Sequence, residues 1–148
     1  MSNTADKEAY LKKKQELLDK LKEEKRQILF KEKEYYEGTK ILYNSNEDLR
    51  NSTIKSYKTS LDVFSKEIEK FKKNEKKAAL GIYSYSSLLN ELYAYISAEK
   101  SLFEYQTRLN YLDEGEKMNL FAVILIGGIL LTAGYYALSF MSQSKKTK

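Results

Sequence analysis

The sequence contains no cysteine, histidine, proline or tryptophan, and only 6 glycines among 148 residues. Without cysteine, disulfides and thiolate metal sites are excluded. Without histidine, the chain lacks the commonest general base and the commonest metal ligand. Phosphate-binding loops, dinucleotide-binding fingerprints and zinc-protease motifs are also absent. These absences predict a protein that is not an enzyme and that binds no metal or cofactor.

Proline is the strongest helix breaker, so its absence favours long helices and predicts an all-α fold. The net charge is +5, but acidic residues are interleaved with the basic ones, and the arginines are only Arg26, Arg50 and Arg108. Because arginine is the main reader of bases, we do not expect a nucleic-acid partner. The composition likewise indicates no small-molecule substrate.

One stretch, residues 120–141, carries no charge at all. A helix of that length spans about 33 Å, which is enough for a hydrocarbon core of about 30 Å. We therefore interpret residues 118–141 as a single transmembrane helix followed by a short basic tail, 142–148; the alternative is a buried helix of a soluble core. The predicted membrane anchor is represented by Leu120, Ile124, Gly128, Leu131, Tyr135 and Tyr136.

The polar region, residues 1–117, has two coiled-coil-like heptad frames. The a and d positions of the first frame are only partly apolar, because they include Lys14, Lys25 and Glu32. That frame predicts an a position at residue 53, whereas the second frame has its a position at Ile54. This one-residue slip falls beside the turn-like segment 44–48, so we predict a helical hairpin that turns there. The alternative is one continuous helix with a local skip.

The second frame runs from Ile54 to Phe103 with 3-4 spacing, and only Glu75 and Glu99 interrupt its apolar positions. We predict a first helix over residues 5–43 and a second helix that continues to about residue 112. Gly81 falls at a g position, where it costs about 1 kcal/mol relative to alanine, so a kink or short break is the alternative there.

Beyond residue 78 tyrosines accumulate, and apolar residues cover more than one face of the predicted helix. Two interpretations are open: a deeply packed part of the chain's own bundle, or a face that docks a partner, since tyrosine is favoured at interfaces. We call the apolar a and d positions of the second frame the seam. A first helix folded back from the turn covers this seam only to about residue 85. The predicted partner interface is Tyr85, Leu89, Leu92, Tyr93, Ile96 and Phe103.

These features predict a membrane-anchored helical interaction or scaffold protein, an accessory or structural subunit of an organelle complex or a virion. Its partners are other subunits or a second copy, together with the lipid bilayer. We expect a single-pass, tail-anchored topology with the N-terminal region in the cytosol. The expected location is the mitochondrial membrane, the endoplasmic reticulum membrane or a virion membrane.

The layout of residues 54–141, a coiled-coil region followed at once by an anchor, is similar to that of SNARE proteins. This resemblance implies a membrane-tethering or fusion factor as the alternative function. SNARE seams carry a central Gln or Arg, whereas no a or d position from Ile54 to Phe103 is either residue.

Overall fold

The computed structural model describes residues 3–114, and these residues form three helices without any strand. The helices are α1 (Asn3–Ser45), α2 (Glu47–Ala79) and α3 (Tyr85–Glu114). The predicted all-α class is therefore confirmed for this part of the chain. The predicted membrane helix and basic tail, residues 118–148, lie outside the described residues. Within residues 3–114, no helix is both long enough and apolar enough to cross a membrane.

The break between α1 and α2 falls inside the predicted segment 44–48 and consists of Asn46 alone. The Asn46 side chain caps α2 by accepting a hydrogen bond from the Leu49 N–H at 3.0 Å. Glu47 and Asp48 follow in the first turn of α2, where the helix dipole favours negative charge. The Ser45 hydroxyl instead donates to the Leu42 carbonyl and belongs to the end of α1.

The second predicted helix, which follows the turn at 44–48 and extends to about residue 112, is not continuous: α2 ends at Ala79 and a five-residue loop, 80–84, precedes α3. The alternative, a break at Gly81, is the one observed. Gly81 adopts φ +82°, a left-handed conformation that suits glycine. The Gly81 N–H donates to the Ala78 carbonyl at 3.0 Å, and the Ile82 N–H donates to the Lys77 carbonyl at 2.9 Å. These two bonds form a Schellman motif, which ends the helix. Ser84 then caps α3 by accepting from the Ser87 N–H at 2.9 Å.

The three helices form an up-down-up bundle with α3 in the middle. Helix α3 packs extensively against both α1 and α2, whereas α1 and α2 touch each other much less. Helices α1 and α3 run in the same direction, since Tyr10 lies beside Tyr85 and Tyr36 stacks on Tyr111. The apolar seam positions beyond residue 89, such as Leu92 and Phe103, are therefore packed within the bundle, contrary to the expectation from a two-helix hairpin.

We call the two ends of the bundle apical and basal. The apical end comprises the loop 80–84 with the first turns of α1 and α3, and the basal end comprises the turn at Asn46 with the last turns of α3. A larger core cluster lies toward the apical end, and a smaller one, formed by Ile54, Leu109 and Leu112, lies toward the basal end. The buried members of the larger cluster are Tyr10, Ile68, Phe71, Ala78, Leu88, Leu92, Tyr95 and Ala98.

Candidate interaction surfaces

The predicted partner interface lies along the first part of α3, where most of its residues pack within the bundle. Leu92 and Phe103 are 0% and 1% exposed. Tyr85, Leu89 and Ile96 are half-buried against the larger core cluster. Partner binding through Leu92 or Phe103 would therefore require the bundle to open. The interface itself stays a prediction, and its solvent-facing member is Tyr93.

Tyr93 is 58% exposed, although it follows the fully buried Leu92 in the sequence. The Lys13 Nζ lies 5.6 Å from the centre of the Tyr93 ring, within the range of a cation–π contact. The neighbouring exposed positions on this face of α3, including Asn90, Ala94 and Ser97, carry small or short polar side chains. An exposed aromatic ring among small residues offers a partner contact area at a low entropic cost.

The two carboxylates that interrupt the predicted seam, Glu75 and Glu99, have partners in the bundle. Glu75 accepts a hydrogen bond from the Tyr10 hydroxyl, and the Lys14 Nζ lies 2.6 Å from its Oε2. Both partners come from α1, rather than from lysines on the same helix. Burial, together with this carboxylate, raises the pKa of Tyr10 above its usual range. The contact therefore ties α1 to α2 at the apical end.

A second buried polar group lies near the middle of the bundle. The Tyr95 hydroxyl donates to the Glu99 Oε2 at 2.7 Å, and burial raises the pKa of Tyr95. Lys25 of α1 is only 8% exposed, and its Nζ lies 5.4 Å from the centre of the Phe103 ring. Burial lowers the pKa of Lys25 to about 8, although the charge of Glu99 acts in the opposite direction. This lysine is a polar a/d position of the first frame, which explains its burial.

The third polar group lies toward the basal end and contains Arg108. Its Nε lies 2.8 Å from the Glu32 Oε1, and its Nη2 lies 3.9 Å from the Glu104 Oε2. Burial alone would lower the pKa of Arg108, but the contacts with Glu32 and Glu104 raise it above its usual range. The guanidinium also lies over the rings of Tyr35 and Tyr105, at 5.8 and 5.2 Å. Glu32, the buried a/d carboxylate of α1, is thereby neutralised by α3.

A small cavity of about 10 Å³ lies beside this arginine. That volume holds about one water molecule and excludes an organic ligand. Its lining residues are Glu32, Tyr35, Tyr36, Thr39, Tyr43, Tyr57, Arg108, Tyr111 and Leu112. Within residues 3–114 we also find no cluster of acidic side chains that could hold a metal ion. The polar groups of the core therefore act in packing and register, and the accessible features are at the surface.

The apical end carries exposed apolar and basic side chains together. Leu80 and Ile82, on either side of Gly81, are 75% and 67% exposed. The last turns of α2 add four exposed lysines: Lys72, Lys73, Lys76 and Lys77. We call these four lysines, together with Leu80 and Ile82, the apical patch. The heptad pattern predicts a continuous helix here, with a break at Gly81 as the alternative, and it does not single out Leu80, Ile82 or these lysines. The signal that could have found them was Gly81, preceded by two lysines and flanked by apolar residues.

The predicted membrane anchor, represented by Leu120, Ile124, Gly128, Leu131, Tyr135 and Tyr136, lies outside the described residues. Comparison of the chain with protein-family models, with curated proteins and with solved structures found no match.

Proposed function

We propose that this protein is a membrane-anchored helical interaction or scaffold protein, which serves as an accessory or structural subunit of a membrane-associated assembly. The observation that carries the proposal is the uncharged segment 120–141, which begins shortly after α3 ends at Glu114. Residues 3–114 supply a helical bundle whose core clusters are built from α1, α2 and α3. The segment supplies attachment, and the bundle supplies surfaces for partners.

The basal end of the bundle supports attachment at that side. The Arg50 Nε donates to the Leu112 carbonyl at 3.1 Å, so the start of α2 is held beside the last turn of α3. Ile41 and Leu42, close to the α1–α2 turn, are 78% and 52% exposed. Anchoring through residues 120–141 would bring these two apolar side chains next to the bilayer interface, where their exposure costs less than in water.

Membrane attachment is tested with the full chain and a variant that lacks residues 120–141. The full chain should float with phosphatidylcholine vesicles and resist extraction by alkaline carbonate, because a spanning helix is not held by surface charge. The shortened chain should stay in the aqueous fraction and keep its helical circular dichroism. Release of the full chain by carbonate would contradict the anchor. Protease protection of tags at each terminus would then decide the expected tail-anchored topology.

Partner binding is tested by native purification from the source membranes in mild detergent. We expect the protein in a discrete complex, and we expect replacement of Tyr93 by serine to weaken its association with that complex. Phe30 is the matched control, because it is 66% exposed but lies on α1. If Phe30→Ser and Tyr93→Ser have the same effect, Tyr93 is not the specific contact.

The alternative function, a tethering or fusion factor, rests on the SNARE-like layout. SNARE zippering requires a long uninterrupted seam, whereas the second frame is divided between α2 and α3 by the loop 80–84. The bundle would have to open at this loop before it could zipper with partner helices. Co-purification with vesicle-fusion proteins, rather than with a stable complex, would favour this alternative.

A further inference from the structure

The Schellman motif at the end of α2 lacks the apolar contact that usually accompanies it. In such motifs the residue at the Ile82 position commonly packs against the third or fourth residue from the helix end. Here those positions are Lys77 and Lys76, so Ile82 has no apolar side chain to cover it and is 67% exposed. Leu80, one residue before Gly81, is 75% exposed. Two branched aliphatic side chains therefore project from a loop whose backbone is fixed by hydrogen bonds.

The charge beside this loop is positive and is not compensated by the bundle. Lys72, Lys73, Lys76 and Lys77 are all exposed, and none of them forms an ion pair within residues 3–114. Of the nearby carboxylates, Glu75 is occupied by Tyr10 and Lys14, and Glu91 by Asn74 and Tyr83. Within the described part of the chain, three more lie close by without an ion pair to the four lysines: Asp6 and Glu8 in the first turns of α1, and Glu69 one turn before Lys73 on α2. The apical patch thus presents unpaired cations around two apolar side chains.

A recess of about 590 Å³ lies beside the loop, open to solvent, and Ile82 is part of its lining. It lies between the start of α1 and the start of α3, and Lys7, Tyr83, Ser84 and Tyr85 contribute a cation and hydroxyl groups to its lining. The Tyr83 hydroxyl already donates to Glu91, so Lys7, Ser84 and Tyr85 supply the donors that suit a phosphate or carboxylate headgroup. Basic groups of α2 and of α1 therefore both lie near the loop, and both complement a negatively charged surface.

We propose that the apical patch binds the anionic headgroup surface of a lipid bilayer, with Leu80 and Ile82 entering the interface. Lysines near an anionic bilayer each strengthen binding by about fivefold, and inserted aliphatic side chains add to this. Protein interfaces are instead enriched in arginine and aromatic residues and depleted in lysine. The patch contains lysine, leucine and isoleucine alone, and the loop projects from the end of the bundle. A flat lipid surface fits this chemistry better than an acidic protein does.

The binding does not depend on the proposed anchor, but one consequence does. The apical and basal ends are separated by the length of α3, which is about 45 Å for 30 residues. A chain anchored through residues 120–141 at its basal end would therefore hold a second, anionic membrane at its apical end.

The test uses the full chain reconstituted in neutral phosphatidylcholine vesicles. A second population of labelled vesicles, with or without phosphatidylserine, is then added, and recruitment to the first population is measured. We expect recruitment of the anionic vesicles only, and we expect it to decrease as the salt concentration rises. Equal recruitment of neutral vesicles, or binding that does not change with salt, would overturn the proposal.

Two variants separate the contribution of the lysine charges to vesicle binding from that of the aliphatic side chains. Replacing Lys72, Lys73, Lys76 and Lys77 by glutamine should reduce binding at least about 100-fold. The double change Leu80→Ser and Ile82→Ser should reduce it about 10-fold or more, because less apolar area enters the interface. The matched charge control replaces four exposed lysines on α1 by glutamine: Lys20, Lys22, Lys31 and Lys33. The proposal fails if this control reduces binding as much as the α2 variant does.

Failure of the anchor gives a different result. If the chain does not float with neutral vesicles, the proposed attachment is wrong, but the unanchored protein should still bind anionic vesicles through the apical patch. If the chain floats and the α2 variant recruits anionic vesicles as well as the unmodified chain does, the anchor stands and the apical proposal is wrong. Circular dichroism of each variant checks that the bundle is still folded.

Discussion

The two ends of the bundle differ in the charged groups that accompany their exposed apolar side chains. At the basal end, Arg50 donates to the carbonyls of Leu112 and Asp113, and the rings of Tyr36 and Tyr111 stack at 4.9 Å. At the apical end, the loop closes its backbone hydrogen bonds, and the Tyr10–Glu75 contact ties α1 to α2. Both ends expose apolar side chains, Ile41 and Leu42 at the basal end and Leu80 and Ile82 at the apical end, but at the apical end the four lysines of the apical patch accompany them without ion-pair partners among the described residues.

The largest effect should come from the core beneath the predicted partner face. Leu92→Ala should lower the free energy of unfolding by about 3–4 kcal/mol, because it leaves a cavity at a fully buried site. Tyr93→Ala, one residue later, should change it by less than about 0.5 kcal/mol. Thermal and urea unfolding in mild detergent, followed by circular dichroism, measures both. Similar values for the two variants would contradict the division of this face into core and surface.

The basal ion pair should give the next largest effect. Arg108→Met leaves the Glu32 carboxylate, whose side chain is 6% exposed, without its cationic partner. Because Arg108 itself is partly exposed, we expect a loss of about 2–3 kcal/mol rather than the full cost of a deeply buried pair. Arg26→Met is the control, since its pair with Glu23 is exposed and should contribute less than about 0.5 kcal/mol. Equal losses would show that Glu32 is solvated.

The two glycines that the structure describes should respond to alanine with opposite signs. Gly81→Ala should lower the free energy of unfolding by about 1–2 kcal/mol, since φ +82° is unfavourable for an L side chain. Gly38→Ala lies within α1 with open space around it, and should raise stability by up to about 1 kcal/mol. Denaturant unfolding of the two variants measures this contrast. A stabilising Gly81→Ala would mean that α2 and α3 form one helix in solution.

The smallest effect is a pH dependence from Lys25. Its pKa is about 8 in the bundle against 10.5 for the free side chain, so the unfolded chain binds more protons between these values. The contribution of Lys25 to stability should therefore rise with pH in this window. Above about pH 10 the raised pKa values of Tyr10 and Tyr95 act in the opposite sense, because only the unfolded tyrosines lose their protons.

This dependence is isolated by comparing Lys25→Met with the unmodified chain. The difference in unfolding free energy between them should shift by about 1 kcal/mol in favour of the unmodified chain from about pH 7 to about pH 8.7. Lys22→Met is the control, because Lys22 is exposed and should show no such shift. A constant difference for Lys25→Met would mean that its ammonium group remains solvated.

The break at Asn46 could be predicted because two independent local signals coincided there: turn-forming residues and a slip of the heptad frame. The break at Gly81 was predicted only as the alternative, because the apolar spacing of α2 resumes in register in α3. A periodic pattern cannot distinguish a continuous helix from two helices joined by a loop of a length that keeps the heptad register. The cost of Gly81 to a continuous helix is small. The free energy gained by burying Leu88 and Leu92 when α3 folds back was not part of that comparison, and it favours the break.

The polar a/d positions of the first frame also show how far periodicity alone can predict the structure. Lys25 and Glu32 could be identified from spacing alone as residues that face the seam, and both are buried. Their neighbours could not be identified, because Phe103 and Arg108 lie far along the sequence and approach only through the fold of α3. The same holds for Glu75, whose partners come from α1 and not from its own helix.

The central position of α3 has a mechanical consequence. Tension applied between the loop 80–84 and Glu114 would run along the axis of α3, with α1 on one side and α2 on the other. Extending the chain would require both lateral interfaces to slide at once, rather than letting contacts separate one pair at a time. In this arrangement α1 and α2 support α3 from both sides, and the resistance to stretching comes from shear along the whole length of α3.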